Sequence, residues 1–498
     1  MTYRPRWYSL VLLGCLGISI PFSAHAETPQ APRRPDVLLI TIDTLRPDAL
    51  GWIGGKNATP NLDALAAEGV RFPAAVSPVP ITLPAHTSLM TALIPPRHGV
   101  RDNGQLLGSG AQTLAEALQT EGYATAAFVS GYPLSPEFGL DRGFDRYDGI
   151  LASDGGPLEW SAAETTRRAL EWLSTAPRPW FLWIHYYDPH DPYEPPQRLL
   201  KPGPRGAYDG EVAAVDEALG ALLAGAAKAS ANRLTVFTAD HAESLGEHGE
   251  RTHGFFIYDS TTLVPLVFHW PGKLKPLEPK AEHETLPRLI DVAPTICALL
   301  GLPEWNGVDG ESLLPLLTGR PQQIPAAYLE SLRPWHSYGW APLKGMRREG
   351  WKLIVAPRPE LYELSSDHAE AVNRIDDQPN PARRIAGALR SAEQQPALAS
   401  SSAVDAETLA RLRSLGYTGG AAGTGSSLPD GLADPKDRID AWNLLGDAEA
   451  ELGAGRPEAA LSRFDQVLEK APDNPFALAR SGFALLVLDR VDEAVPRL

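Results

Sequence analysis

The sequence predicts an α/β fold, a mostly parallel sheet sandwiched by helices, followed by an α-helical segment. Three observations predict it. From Asp36 onward, short runs that are nearly all apolar alternate with amphipathic or Ala-rich helical stretches, the pattern of strands buried on both faces. From about Pro379 to Gly431 hydrophobicity falls, and the run Gly419 to Ser427 is rich in Gly and Ser, the composition of a flexible linker. Beyond it only helical patterning remains. There Leu444, Ala448, Leu452, Ala460 and Phe464 recur 34 residues later as Leu478, Gly482, Leu486, Ala494 and Leu498.

The elements follow in order. The first 26 residues read as a targeting segment, with Arg4 and Arg6 as the positive region, Leu10 to Ile20 apolar, and Ala24-His25-Ala26 a small-x-small cleavage site. An uncleaved anchor and a lipoprotein site at Leu12-Leu13-Gly14-Cys15 are the alternatives. Cleavage leaves Cys297 alone, hence no intrachain disulfide. It also leaves no stable membrane span and places the mature protein in the periplasm or outside the cell. Strands are expected at Val37–Ile42, Ala124–Val129, Trp180–His185, Leu234–Thr238 and Val264–His269. Helices are expected at Asn61–Glu68, Leu114–Gln119, Ala162–Leu173 and Gly210–Ala227.

Length and composition bound the function. At about 150 residues per domain, 498 residues hold two or three domains and a large core. A formal charge of -16 excludes a broad basic surface for nucleic acid. An anionic ester would then need locally placed cations.

Three expected strands end in polar residues: Val37–Ile42 in Asp43, Leu234–Thr238 in Asp240-His241, and Trp180–His185 in Tyr187-Asp188-Pro189-His190. Any one could simply cap the next helix. Ligands of open α/β sheets, however, sit beyond the carboxyl ends of the strands, and three such ends would gather two Asp and one His. That set suits zinc, manganese or calcium. In Pro80-Ile81-Thr82-Leu83-Pro84-Ala85-His86, Pro84 sets a helix start just after Thr82. A hydroxyl there would lie among unpaired N–H groups at the positive end of the helix dipole. Metal activation would make it a nucleophile. A plain N-cap is the alternative.

Several motifs then resemble a family. Leu38 to Asp43, Thr59-Pro60-Asn61-Leu62-Asp63, Glu68-Gly69-Val70-Arg71-Phe72, Thr238 to Gly249, and Leu361-Tyr362-Glu363-Leu364-Ser365-Ser366-Asp367 resemble, in order, the sulfatases of the alkaline phosphatase superfamily. The likeness runs from about Pro35 to Gly420. It implies hydrolysis of sulfate or phosphate esters, with a metal held by Asp43, Asp240, His241 and the nucleophile. The 34-residue period with Pro472 between the units resembles tetratricopeptide repeats. The resulting division is a signal peptide at 1–26, a sulfatase-like catalytic domain at 34–378, an extension and linker at 379–435, and repeats at 436–498 that look cut short.

The departures from the sulfatase pattern matter. Thr82-Leu83-Pro84-Ala85-His86 stands where those sulfatases carry C/S-x-P-x-R, with the Cys or Ser converted to formylglycine. Threonine gives no such aldehyde. Thr44 replaces an acidic ligand, and Val129-Ser130-Gly131-Tyr132 replaces a segment with a sulfate-binding lysine. Thr82-Leu83-Pro84-Ala85-His86 followed by His98 to Asn103 is instead similar to the nucleotide pyrophosphatase/phosphodiesterases. In those enzymes a metal-bound Thr attacks phosphorus, and an Asn about 21 positions later holds a phosphate oxygen. The run Asp240 to Glu247 with His253-Gly254 also resembles phosphoethanolamine transferases, which carry several membrane spans that this chain lacks.

The expectation is an exported, metal-dependent phosphoester hydrolase. Thr82 is the nucleophile. Asn103, Arg101 and His86 bind substrate, and His190 and His253 protonate the leaving group or, with Asp188, hold a second metal. The expected cofactor is one or two divalent ions, with zinc or manganese favoured over calcium. The expected partners are a small phosphate or sulfate ester and a protein held by the repeats. Alternatives are a sulfuric ester hydrolase without formylglycine and a non-catalytic repeat-mediated binding protein.

Overall fold

In the computed structural model, which describes residues 1–5, 7 and 34–498 except 56–58, 152–158, 278–285, 400–401, 404–407 and 409–430, thirteen strands run along the described chain. They are β1 (Asp36–Ile42), β2 (Val70–Val76), β3 (Gln105–Leu106), β4 (Ala124–Val129), β5 (Arg146–Asp148), β6 (Trp180–Tyr186), β7 (Arg233–Ala239), β8 (Leu263–His269), β9 (Ala327–Ser331), β10 (Leu343–Arg348), β11 (Trp351–Val355), β12 (Glu360–Glu363) and β13 (Ser402–Ala403). The expected signal peptide falls almost wholly outside the described residues, and so does the Gly/Ser run.

Seven strands form the main sheet in the order β2-β8-β7-β1-β6-β4-β5. The five from β7 to β5 are parallel, while β8 and β2 close one edge antiparallel. Every residue of β1, β6 and β7 is buried, which is why these segments read as continuous apolar runs. Two groups of helices cover the sheet. Pro60–Glu68, Ala162–Leu173 and Gly206–Ala229 pack together, and so do Thr82–Thr91, Leu114–Thr120 and Val292–Leu299. Ser161 caps Ala162–Leu173 by accepting the Glu164 N–H, and Thr113 with Glu116 forms a capping box on Leu114–Thr120.

Register positions the site. Ile42 of β1 lies opposite Ala239 of β7, and Thr41 opposite His185 of β6. Asp43 and Asp240 therefore leave adjacent strands side by side at the carboxyl edge of the sheet.

A second, antiparallel sheet in the order β12-β11-β10-β9 was not expected. The helix Pro379–Glu393 packs on it, with Ile385 and Leu389 among Met346, Leu353 and Leu361. The low-hydrophobicity stretch thus begins with a docked amphipathic helix, and β13 pairs with β3 beyond it. The C-terminal region is helical, with Ile439–Gly453, Pro457–Lys470 and Pro475–Val487 packed in succession and a short helix at Val491–Ala494. These helices share one apolar core with the loop Phe255–Tyr258 and the second sheet through Ala441, Leu445, Ala448, Phe464 and Val467. No described helix is long and apolar enough to cross a membrane.

Candidate active site

Asp43, Thr82, Asp240 and His241 meet, fully buried, at the carboxyl ends of β1 and β7. His241 Nε2 lies 3.6 Å from Asp43 Oδ1 and 3.5 Å from Asp240 Oδ2, and none of these three atoms has a hydrogen-bond partner. The other acceptors are used locally: His241 N–H donates to Asp240 Oδ1 at 2.7 Å, and His241 Nδ1 faces the Ala242 carbonyl at 3.1 Å. That contact leaves the Nε2 lone pair pointing at the carboxylates. Burial pushes the Asp240 carboxyl well above its ordinary range, and the charge of Asp43 adds to the rise. Buried carboxylates this close repel each other unless a cation lies between them. Three orphaned donors converging on one point fit a divalent ion. Among the described residues this is the one cluster of three or more His, Cys, Asp or Glu side chains that offers ligand atoms to a shared point.

Thr82 is the first residue of Thr82–Thr91, and Ile81 takes the extended capping position. The Thr82 hydroxyl therefore does not cap the helix; it donates to Asp43 Oδ2 at 3.3 Å. The first-turn amides are less open than expected. Leu83 N–H donates to Asn103 Oδ1 at 3.0 Å, and Pro84 has no N–H. Asn103 Nδ2, buried and without a partner beside this helix start, is a donor that can meet an oxygen of a substrate. Thr44, where an acid was expected in the sulfatase pattern, sits in the left-handed region at φ 53. Its hydroxyl donates to the Pro189 carbonyl at 2.5 Å, while its backbone N–H serves the carboxylates of Asp43 and Asp240.

The remaining sequence-predicted residues divide. His86 borders the site: Nδ1 is 2.8 Å from the Thr82 carbonyl and Nε2 3.0 Å from Thr41 Oγ1. Its Nδ1 also lies 3.5 Å from Asp240 Oδ2, so the ring ties the helix start to the carboxylate cluster. Arg101 is clasped by the buried Glu330 through Nε at 2.8 Å and through Nη2, so its charge is neutralised there. Asp188 accepts the Ala162 N–H at 2.9 Å at the start of that helix, and among the described residues it shares no ligand point with His190 and His253. The ring of His190 lies between Tyr187 and His253, with centroids 4.3 and 4.9 Å away. His253 lies 4.5 Å from the His241 ring, and its Nδ1 is 3.0 Å from Glu243 Oε1.

Three residues at the site carried no expected role. His185, buried at the end of β6, puts Nε2 3.6 Å from Asp43 Oδ2, and burial holds its ring neutral, its pKa lowered to about 3. Glu243 holds His253 and in turn accepts the Tyr193 hydroxyl at 2.9 Å. Arg333, nearly buried, packs on Gly254, and its positive charge joins burial in lowering the pKa of His190 and His253. Its charge also acts on the buried Glu250.

The sulfatase family profile matches residues 35–302, and the profile of the N-sulphoglucosamine sulphohydrolase C-terminal region matches residues 246–392. The chain is 28% identical to the ulvan-active sulfatase of Formosa agariphila over 58% of its length and 66% of that protein's. It is 26% identical to the steryl-sulfatase of Mus musculus, covering 67% of this chain and 74% of that one. In fold it resembles the phosphonate monoester hydrolase of Agrobacterium radiobacter, with a TM-score of 0.61, 24% identity, and coverage of 72% of this chain and 95% of that one. A structure solved with its substrate D-glucosamine-2-N,6-O-disulfate aligns with a TM-score of 0.63 at 20% identity, over 73% of this chain and 98% of that one. Superfamily members are metal dependent. By its sequence profile, the chain belongs to the sulfatase family of hydrolases.

Proposed function

We propose that this protein is an exported, metal-dependent phosphoester hydrolase in which Thr82 is the nucleophile. The observation that carries the reading is the Thr82 hydroxyl, held at a helix start and aimed at Asp43 beside three orphaned ligand atoms. Asp43, Asp240 and His241, with Thr82, would hold the ion, and zinc or manganese suits this mixed carboxylate and imidazole set better than calcium. When bound, the ion lowers the pKa of the hydroxyl and offsets charge on the ester.

The chain's own residues do the rest. The Thr82 hydroxyl proton is directed to Asp43 Oδ2 while Oγ1 attacks phosphorus. The P–O bond to the leaving alcohol breaks, giving a phosphothreonine that water then hydrolyses. Asn103 Nδ2 donates to a non-bridging oxygen, and Arg333 offsets the charge of the ester. Glu243 orients His253 to move a proton to the leaving oxygen and then from the attacking water. Burial, the neighbouring imidazoles and Arg333 hold His253 well below its ordinary value; an incoming anion raises it towards the range in which it can donate.

The names of the relatives favour a second reading, sulfate ester hydrolysis by the unmodified Thr82. Against it stand two missing cations: His86 occupies the arginine position of the sulfatase pattern, and Val129 to Tyr132 carries no sulfate-binding lysine. Purified protein assayed with paired aryl phosphate and aryl sulfate esters separates the two. Faster phosphate turnover supports the proposal, and faster sulfate turnover reverses the order. The pattern of residues 1–26 supports export to the periplasm or beyond. The 34-residue recurrence supports tetratricopeptide repeats that hold a protein partner.

A further inference from the structure

The loop carrying His253 is braced by the C-terminal helices. Phe255, fully buried and two residues after His253, stacks on Trp442 of Ile439–Gly453, with centroids 5.1 Å apart and planes 26° apart. Trp340 meets Phe255 edge-on at 5.8 Å. The same helix holds the loop on the other side of His253. Asn443 Nδ2 donates to the Gly249 carbonyl at 2.8 Å, and Arg251 pairs with Asp447 at 2.9 Å. His253 is thus bracketed in sequence by contacts at Gly249, Arg251 and Phe255, all made by one helix outside the matched family regions.

Gly254 transmits the position. Its φ of +93° suits glycine, and a Cβ there would lie 2.6 Å from Arg333 Nη1, so the turn and the arginine fit against each other. A second line of contacts reaches Arg333 from its own helix. Phe476 meets Tyr338 at 5.5 Å, and Tyr338 stacks on Trp340 at 4.9 Å. Phe255 is thus joined by these contacts to the segments carrying both His253 and Arg333, while Asp43, Asp240 and Thr82 sit on the main sheet and its helix.

We infer that Trp442 is a positioning residue, acting through Phe255 to set His253 and Arg333 against the reacting centre. The inference rests on the reading above that those two side chains serve ester cleavage. A misplacement of about 1 Å at a reacting group costs on the order of 100-fold in rate, and loss of a stacked ring at a loop is enough for that.

The test compares full-length wild type with Trp442→Leu, which keeps apolar volume without a ring, and Trp442→Phe, which keeps a ring. The expected result is a fall in kcat of at least about 10-fold in Trp442→Leu, with bound metal and KM little changed and most of the rate restored in Trp442→Phe. A kcat for Trp442→Leu within about twofold of wild type overturns it. An equal loss in both variants also overturns it, because only fold integrity would then be at stake. The ring resonances of His253, assigned with His253→Gln in histidine-labelled protein, give a readout independent of turnover. They should shift in Trp442→Leu, and unchanged resonances overturn the inference. If wild type cleaves neither ester, the reading of the site fails while the resonances still decide this one.

Discussion

His253 Nδ1 and Glu243 Oε1 are 3.0 Å apart in a buried pair, and Tyr193 holds the second oxygen of Glu243. The Glu243 carboxyl group thereby fixes the orientation of the ring. Glu243→Gln is expected to lower kcat by about 10- to 100-fold, the usual cost of losing such a supporting contact, with metal content retained. Turnover measured beside bound metal checks it, and activity within twofold of wild type contradicts it.

Asp43 and Asp240 repel each other when no cation separates them. Wild type should therefore gain stability as zinc or manganese is added, by about 2.7 kcal/mol at 100 times the dissociation constant. Asp240→Asn should abolish that gain while leaving the chelated protein at least as stable as chelated wild type. Thermal melts with and without chelator read both effects. A metal-dependent shift that survives in Asp240→Asn argues against the ligand set.

Arg101 and Glu330 form a half-buried pair: the Arg101 side chain is 27% exposed, while Glu330 is wholly covered and also accepts the Tyr328 hydroxyl at 2.7 Å. Removing one partner strands the other. Glu330→Ala should cost about 1.5 to 3 kcal/mol in denaturant unfolding, the range for hydrogen bonds to charged groups, whereas a loss below about 1 kcal/mol would place this pair with exposed ones.

Glu211 sets a pH dependence away from the metal site. Its Oε1 accepts the Glu194 N–H at 2.6 Å, while burial, with the charge of Asp188 behind it, pushes the carboxyl up to about 8. The folded state thus holds this proton more tightly than the unfolded chain, where a Glu titrates near about 4.3. The resulting stability is complete below that value and is lost as pH rises through 8. Melting temperature should fall between pH 5 and 8, with a flatter profile in Glu211→Gln. Parallel profiles contradict this.

The parts of the fold that could be read from the sequence are those with a strong physical signature. Strands β1, β4, β6, β7 and β8 are apolar because both faces are covered, and Asp43 and Asp240 stand out as the first polar residues after them. Thr82 is marked by Pro84 two residues on. Strand β10, Leu-Lys-Gly-Met-Arg-Arg, alternates too weakly to be read as a strand, so the second sheet went unseen. The helix Pro379–Glu393 buries little beyond Pro381, Ile385 and Leu389, and its composition matches that of a linker. His185 was hidden by its own strand, which counted it as a strand residue rather than a side chain aimed at Asp43. The pairing of Arg101 with Glu330, and the approach of Arg333 to Gly254, join residues more than 75 positions apart, and no local pattern reports such contacts.

The most direct test of the central claim measures metal content together with hydrolysis of mono-aryl and bis-aryl phosphates for wild type and Thr82→Ala. The account predicts that wild type binds a divalent ion and turns over phosphate ester. Thr82→Ala, which keeps Asp43, Asp240 and His241, should retain the ion and lose turnover by several orders of magnitude. A Thr82→Ala protein that binds metal and hydrolyses ester at the wild-type rate would contradict it.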